Sequence, residues 1–130
     1  MSLSLREEIK QSRPFQSFEQ EALLSLERTA AVLAHRSADF FKQYGVTPTQ
    51  YNVLRILRGA GDSGLCRNEV RDRMIAQVPD VTRLLDRLEE MKLIARERDA
   101  DDRRMVTTRI TASGLKLLER LDGPVVDAEK

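Results

Sequence analysis

A mainly α fold with one small β-hairpin is what the sequence predicts, and three observations predict it. Most of the chain places apolar residues three and four apart, the period of helices with one buried face. Two β-like runs, Leu93 to Arg98 and Met105 to Ile110, interrupt that rhythm, and the charged segment Asp99-Ala100-Asp101-Asp102-Arg103-Arg104 joins them. Just before them lie a short helical segment, Cys66 to Met74, and a longer one, 79–91. Helix, short connection, helix and a hairpin with a charged tip make a winged helix-turn-helix. It is expected over 47–110, inside a single domain spanning 1–130, with further helices on both sides at 17–44 and 112–130.

In chain order, residues 1–16 hold a turn or two around Leu5 and Ile9, stopped near Arg13-Pro14-Phe15. Ser17 and Gln20 have the spacing of a capping box. Leu23, Leu26, Ala30, Leu33, Ser37, Phe40, Phe41 and Tyr44 then keep a 3–4 rhythm, which implies one long helix closed by Gly45 in the left-handed conformation. Thr47-Pro48-Thr49-Gln50 is a stronger start signal: Thr47 caps, Pro48 suits the first helical position and Gln50 completes the box. Tyr51, Leu54, Ile56 and Leu57 form that helix's apolar side, and Gly59 to Gly64 ends it in a loop. In the segment 79–91, Val81, Leu84, Leu85 and Leu88 make the buried stripe, with Pro79 and Asp80 expected in the first turn. Thr111-Ala112-Ser113-Gly114 opens the last helix, with Leu115, Leu118 and Leu121 inward, and Asp122-Gly123-Pro124 is expected to break or kink it.

At 130 residues the chain suits one domain that buries roughly two-thirds of its unfolded surface. The single Cys66 can form no internal disulfide, which fits a reducing compartment. Neither a signal-peptide core nor an apolar run near the roughly 18 residues of a membrane span is found, so a cytoplasmic protein off the membrane is expected. The net charge is +1, and Cys66 to Arg104 holds ten basic and ten acidic residues. The sum of charge therefore does not point to nucleic acid, but its placement does. On helix 79–91, Thr82 and Arg83 occupy the first turns, whereas Asp86, Glu89 and Glu90 gather at the far end. A helix that enters DNA by its N-terminal residues needs that layout, because phosphates repel carboxylates placed deep in the groove.

Val81-Thr82-Arg83-Leu84-Leu85-Asp86-Arg87-Leu88-Glu89, followed by Leu93-Ile94, Arg96, Asp102-Arg103-Arg104, Ile110-Thr111 and Gly114, resembles the MarR family of transcriptional regulators. The likeness runs from about Ser17 to Leu121 and departs at Ile75-Ala76, where the family often has a glycine-containing turn. It implies a repressor that binds duplex DNA sequence-specifically as a homodimer on a pseudo-palindromic operator. It also implies release by a small aromatic or anionic effector, held between the dimerisation helices (17–44 and 112–130) and the DNA-reading lobe. The DNA-contacting residues expected are Asn68, Gln77, Pro79, Asp80, Thr82, Arg83, Arg87, Arg98, Arg103 and Arg104, with Asp102 shaping the wing. Arg83 would read a base edge, and Arg87 would take a phosphate or an internal ion pair. One wing arginine, Arg103 or Arg104, would enter the minor groove. Few residues follow Pro124, so the dimer is expected to be smaller and weaker than is usual in the family.

Other readings stand beside these. A winged-helix protein-interaction module, or a ligand sensor acting through another regulator, would share the fold without affinity for duplex. Cys66 reads as a small residue in the Ser/Thr capping place rather than a redox sensor, and His35 has no second ligand nearby. There is no phosphate loop, no nucleophile with a base and no ligand cluster, so neither an enzyme, a cofactor nor a metal site is expected.

Overall fold

A computed structural model of the chain describes residues 2–130; Met1, part of the range expected for the single domain, lies outside the described residues. The chain divides at Phe40–Phe41 into two compact units. In the first, Ser4 caps the one-turn helix α1 (Leu5–Glu8) in a full capping box with Glu7. Helix α2 (Phe18–Lys42) begins at Ser17, whose Oγ accepts from Gln20 N–H at 3.0 Å. Gln20 Oε1 reaches back to the N–H of Gln16 rather than that of Ser17, one residue off the expected box. Phe18, Leu23, Leu26 and Leu33 are all exposed along α2.

The second unit opens where α2 ends. Gly45 (φ 76°) donates to the Lys42 carbonyl at 3.1 Å, and Val46 N–H donates to Phe41 at 3.3 Å. These two bonds make a Schellman cap, with the left-handed glycine where a side chain would be strained. Thr47 and Gln50 then form the predicted capping box that starts α3 (Pro48–Ala60), and a single 3₁₀ turn (Gly61–Ser63) follows. Helix α3 therefore runs two residues beyond the expected loop start at Gly59. Its buried face is Tyr51, Val53, Leu54 and Leu57, so Val53 takes the place the sequence reading gave to the half-buried Ile56.

Helix α4 (Arg67–Arg73) starts at Cys66 in the cap position, where Glu69 Oε1 accepts its N–H at 3.3 Å. Helix α5 (Val81–Glu90) starts later than expected. Asp80 is its N-cap and accepts Arg83 N–H at 2.9 Å, so neither Pro79 nor Asp80 belongs to the first turn. Capping wins over helical continuation there because a short carboxylate satisfies an otherwise orphaned donor. At the far end, Lys92 N–H donates to Glu89 and Leu93 N–H to Leu88, a second Schellman cap with Lys92 at φ 63° in the place usually held by glycine.

Strands β1 (Ile94–Arg98) and β2 (Val106–Ile110) pair antiparallel, with Ile94 opposite Ile110 and Arg98 opposite Val106. Leu65 adds a bridge to Thr108 through bonds of 3.0 and 2.7 Å, tying the approach to α4 onto the hairpin. Gly64 permits it: a Cβ there would lie 2.6–2.8 Å from Thr107, the Thr108 carbonyl and Arg109.

Helix α6 (Ala112–Ala128) is capped by Thr111 and continues through Pro124 instead of breaking. Gly123, the residue before the proline, has no Cβ to crowd the ring, which removes one of the clashes that usually stop a helix there. Its inward face carries Leu117, Leu118 and Leu121; Leu115, expected inside, is exposed. The four-residue step from Leu117 to Leu121, with Leu118 beside it, centres the stripe one position further round. Leu54, Leu57, Val70, Leu85, Leu88, Ile94, Leu118 and Leu121 are at most 2% exposed and form one core. At about 1.5–3 kcal/mol per buried aliphatic side chain, that core is what sets the positions of α4, α5 and the hairpin.

Gly114 meets the start of β1: a Cβ there would fall on the Leu93 carbonyl oxygen and 2.6 Å from Ile110 Cγ1. Gly114→Ala should destabilise the protein by about 1–3 kcal/mol through overpacking. Gly59→Ala, in open space on α3, should stabilise it by roughly 0.5–1 kcal/mol. Urea unfolding midpoints of the two variants check both signs.

Candidate nucleic-acid interface

The exposed side of α5 is set by its buried one. Val81, Leu85 and Leu88 face the core with Leu84 half-buried, which leaves Thr82, Arg83, Asp86, Arg87, Glu89 and Glu90 outside. The three carboxylates do not present themselves unpaired. Arg96 Nη2, on β1, donates to Asp86 Oδ1 at 2.6 Å and to Glu89 Oε1 at 3.0 Å, and its backbone N–H donates to Glu89 Oε2 at 3.1 Å. Glu90 pairs with Arg87 at 3.3 Å. The hydrogen bonds from Arg96 hold the Glu89 carboxyl below the ordinary glutamate value of 4.5, and the two carboxylates keep Arg96 more firmly protonated in turn.

Arg83 is free of such partners. Among the described residues no hydrogen bond or ion pair takes its guanidinium, and the same holds for Arg103 and Arg104 at the wing tip. The wing is shaped from within. Asp102 Oδ1 accepts Arg104 N–H at 3.0 Å, the Asp102 carbonyl accepts Met105 N–H at 3.0 Å, and Asp99 N–H donates to the Met105 carbonyl at 2.8 Å. Arg98 donates to the Arg103 carbonyl at 2.7 Å, so its guanidinium is engaged in closing the turn.

Between α4, α5 and the wing lies an open cleft of about 340 Å³. It brings Asn68, Thr82 and Arg104 together, three residues singled out in the sequence, with Arg96 at its side. Gln77 and Pro79 are exposed in the α4–α5 connection, outside the cleft, as are Arg83, Arg87, Arg98 and Arg103. Two participants escaped the residue-by-residue reading. One is the clamp role of Arg96, whose partners are seven and ten positions away rather than at helical spacing. The other is Arg67, on α4, which donates to Thr82 Oγ1 at 3.0 Å. Its only signal in the sequence was its place beside a helix cap. Elsewhere among the described residues, no group of three His, Cys, Asp or Glu could hold a metal ion, and no helix is long and apolar enough to cross a membrane.

The sequence model described as "MarR family" matches residues 44–105, which contain α3, α4, α5, β1 and the wing tip and stop just before β2. The HTH-type transcriptional repressor MdtR of Bacillus subtilis is 35% identical over 101 residues, covering 77% of this chain and 64% of MdtR. The chain spans 51 to 65% of the length of the curated Bacillus subtilis relatives YsmB, MhqR and MdtR. Among solved structures, a MarR transcription factor from Planctomyces limnophilus is 38% identical with a TM-score of 0.78, covering 89% of this chain and 84% of that one. The DNA complex of MepR from Staphylococcus aureus is 29% identical with a TM-score of 0.71, covering 81% and 77%.

Replacing Arg96 by Met strands both carboxylates and should loosen the hairpin from α5, by about 1–3 kcal/mol and toward the low end because Asp86 and Glu89 are partly exposed. Glu89 is held below its ordinary value, so its contribution is present above pH 4.5 and fades as pH falls through the lowered value. Protection of the Thr107 and Thr108 amides, taken relative to intrinsic exchange at each pH, should fall in Arg96→Met at neutral pH, and acid should lower it more in the wild type than in the variant.

Proposed function

The chain belongs to the MarR family, and from that premise we propose that it is a sequence-specific, duplex-DNA-binding transcriptional repressor of the cytoplasm. The observation that carries this reading is the distribution of arginines. Arg83, Arg103 and Arg104 are unpaired, whereas Asp86, Glu89 and Glu90 are all bound to arginines. In this reading α5 enters the major groove by its first turns. Arg83 reads a base edge, Thr82 lies beside it, and Pro79 and Asp80 set the helix start against the backbone. Asn68 and Gln77 flank that entry, and Arg87 gives up Glu90 for a phosphate. The wing, braced by Asp102 and Arg98, brings Arg103 and Arg104 to the flanking minor groove, where negative potential favours arginine. The DNA complex of the related MepR supports this class of ligand.

The same reading makes 1–130 one MarR-like domain and gives α2 and α6 a second task. Leu23, Leu26 and Leu33 on α2, and Leu115 and Val126 on α6, are exposed apolar side chains on helices, the kind of surface that pairs with another copy. We read them as dimerisation faces, so two α5 helices would meet a pseudo-palindromic operator. A small aromatic or anionic effector would release the DNA.

Arg83→Ala should cost roughly 1–3 kcal/mol on a site selected from a random duplex pool and relax preference at one base position, whereas Arg104→Ala should weaken binding while keeping the major-groove preferences. Fluorescence anisotropy on selected and random duplexes measures both; equal losses on the two by Arg83→Ala refute base reading. A wild type with no salt-dependent affinity for any duplex refutes the whole assignment and favours the protein-interaction module.

Light scattering over a concentration series tests the dimer. The mass should rise toward twice that of the monomer, and Leu26→Glu should hold it at the monomer value. A wild-type monomer up to millimolar concentration rules out pairing and, with it, the two-fold operator.

A further inference from the structure

Thr82 sits in the second position of α5, on the side turned from the core, and its hydroxyl is already spoken for. Arg67 Nη1, fifteen residues earlier on α4, donates to Thr82 Oγ1 at 3.0 Å. A guanidinium can only donate, so the threonine oxygen must act there as the acceptor. Among the described residues the hydroxyl proton of Thr82 has no acceptor of its own. A cationic donor on the oxygen also polarises the O–H bond, which strengthens the hydroxyl as a donor and weakens it as an acceptor for any second group.

We infer that Arg67 is a positioning residue for DNA recognition, fixing the Thr82 hydroxyl as an outward hydrogen-bond donor. The inference rests on the proposal that α5 enters the major groove. Thr82 then selects an acceptor on the DNA: guanine O6 or N7, thymine O4, adenine N7 or a phosphate oxygen. It disfavours the exocyclic amino groups of adenine and cytosine, which themselves donate. Arg67 acts through Thr82 and takes no phosphate of its own.

The test is a double-mutant cycle on DNA affinity, using the duplex that the wild-type protein selects from a random pool and an unselected duplex of equal length. Arg67→Met and Thr82→Val should each weaken binding to the selected duplex roughly 3- to 10-fold. The double variant should lose no more than the weaker-binding single. Thr82→Ser, which keeps the hydroxyl, should stay within about 2-fold of wild type if the serine is held as the threonine is. Because both side chains are exposed, circular dichroism and melting midpoints should be close to those of the wild type. Losses confined to the selected duplex place the acceptor on a base edge, and equal losses on both place it on a phosphate; either supports the inference. Multiplying losses overturn it, as does a slope of log affinity against log salt that is about one unit shallower in Arg67→Met, since Arg67 would then be neutralising a phosphate itself. Wild-type binding by Thr82→Val overturns it too. If the wild type binds no duplex at all, the proposed function fails first and takes this inference with it.

Discussion

Arg96 joins two elements that no backbone ladder connects. It stands on the hairpin, and its partners Asp86 and Glu89 stand on α5. Helix α5 is held to the core by its apolar stripe and to α4 by the bond from Arg67 to Thr82. Two charge-assisted bonds and one backbone bond fix the helix against rotation and translation relative to β1. The turn at Met91–Lys92–Leu93, closed by its own cap, sets the distance between the two. Helix α5 and β1 are thereby tied together at the base of the wing.

That brace also bears on how a nearly neutral chain would meet the polyanionic ligand proposed for it. Nine of the ten acids in Cys66–Arg104 have a partner within the protein, and only Asp101, at the wing tip, has none for its carboxylate among the described residues. Asp86 and Glu89 go to Arg96, Glu90 to Arg87, and Asp80, Asp99 and Asp102 to backbone N–H groups. Among the described residues the arginines of this stretch without any such partner are Arg73 at the end of α4, Arg83 in the first turn of α5, and Arg103 and Arg104 at the wing tip. Local placement, rather than net charge, determines the field that a phosphate meets at close range.

Much of this was legible in the sequence, and the reasons differ by element. Caps were the most readable features: Ser17, Thr47, Thr111 and Gly45 each act where their side chain or backbone freedom dictates, because capping is decided within four residues. Stripe centres were less so. Val53 and Leu117 displaced Ile56 and Leu115, since neighbours elsewhere in the fold decide which of two adjacent apolar residues is covered. At Gly123-Pro124 the helix runs on rather than breaking, since the glycine has no Cβ to crowd the proline ring. Long-range polar pairs such as Arg67–Thr82 and Arg96–Asp86 had no periodic signature at all. The wing was readable as a charged tip, but Asp99 and Asp102 turning inward while Arg103 and Arg104 stay unpaired depended on a turn geometry that only the folded hairpin supplies.

The internal consumption of acidic groups has a consequence for how such a regulator finds its target. A genome offers about 10⁶–10⁹ competing sites, and a strongly basic protein is sequestered on them by phosphate attraction alone. On the proposed function, a net charge of +1 gives this chain little long-range attraction of that kind, so it would hold indiscriminate sites weakly. Occupancy of an operator would then depend mainly on the few directional contacts proposed for α5 and the wing, and fewer copies would be titrated away by bulk chromosome.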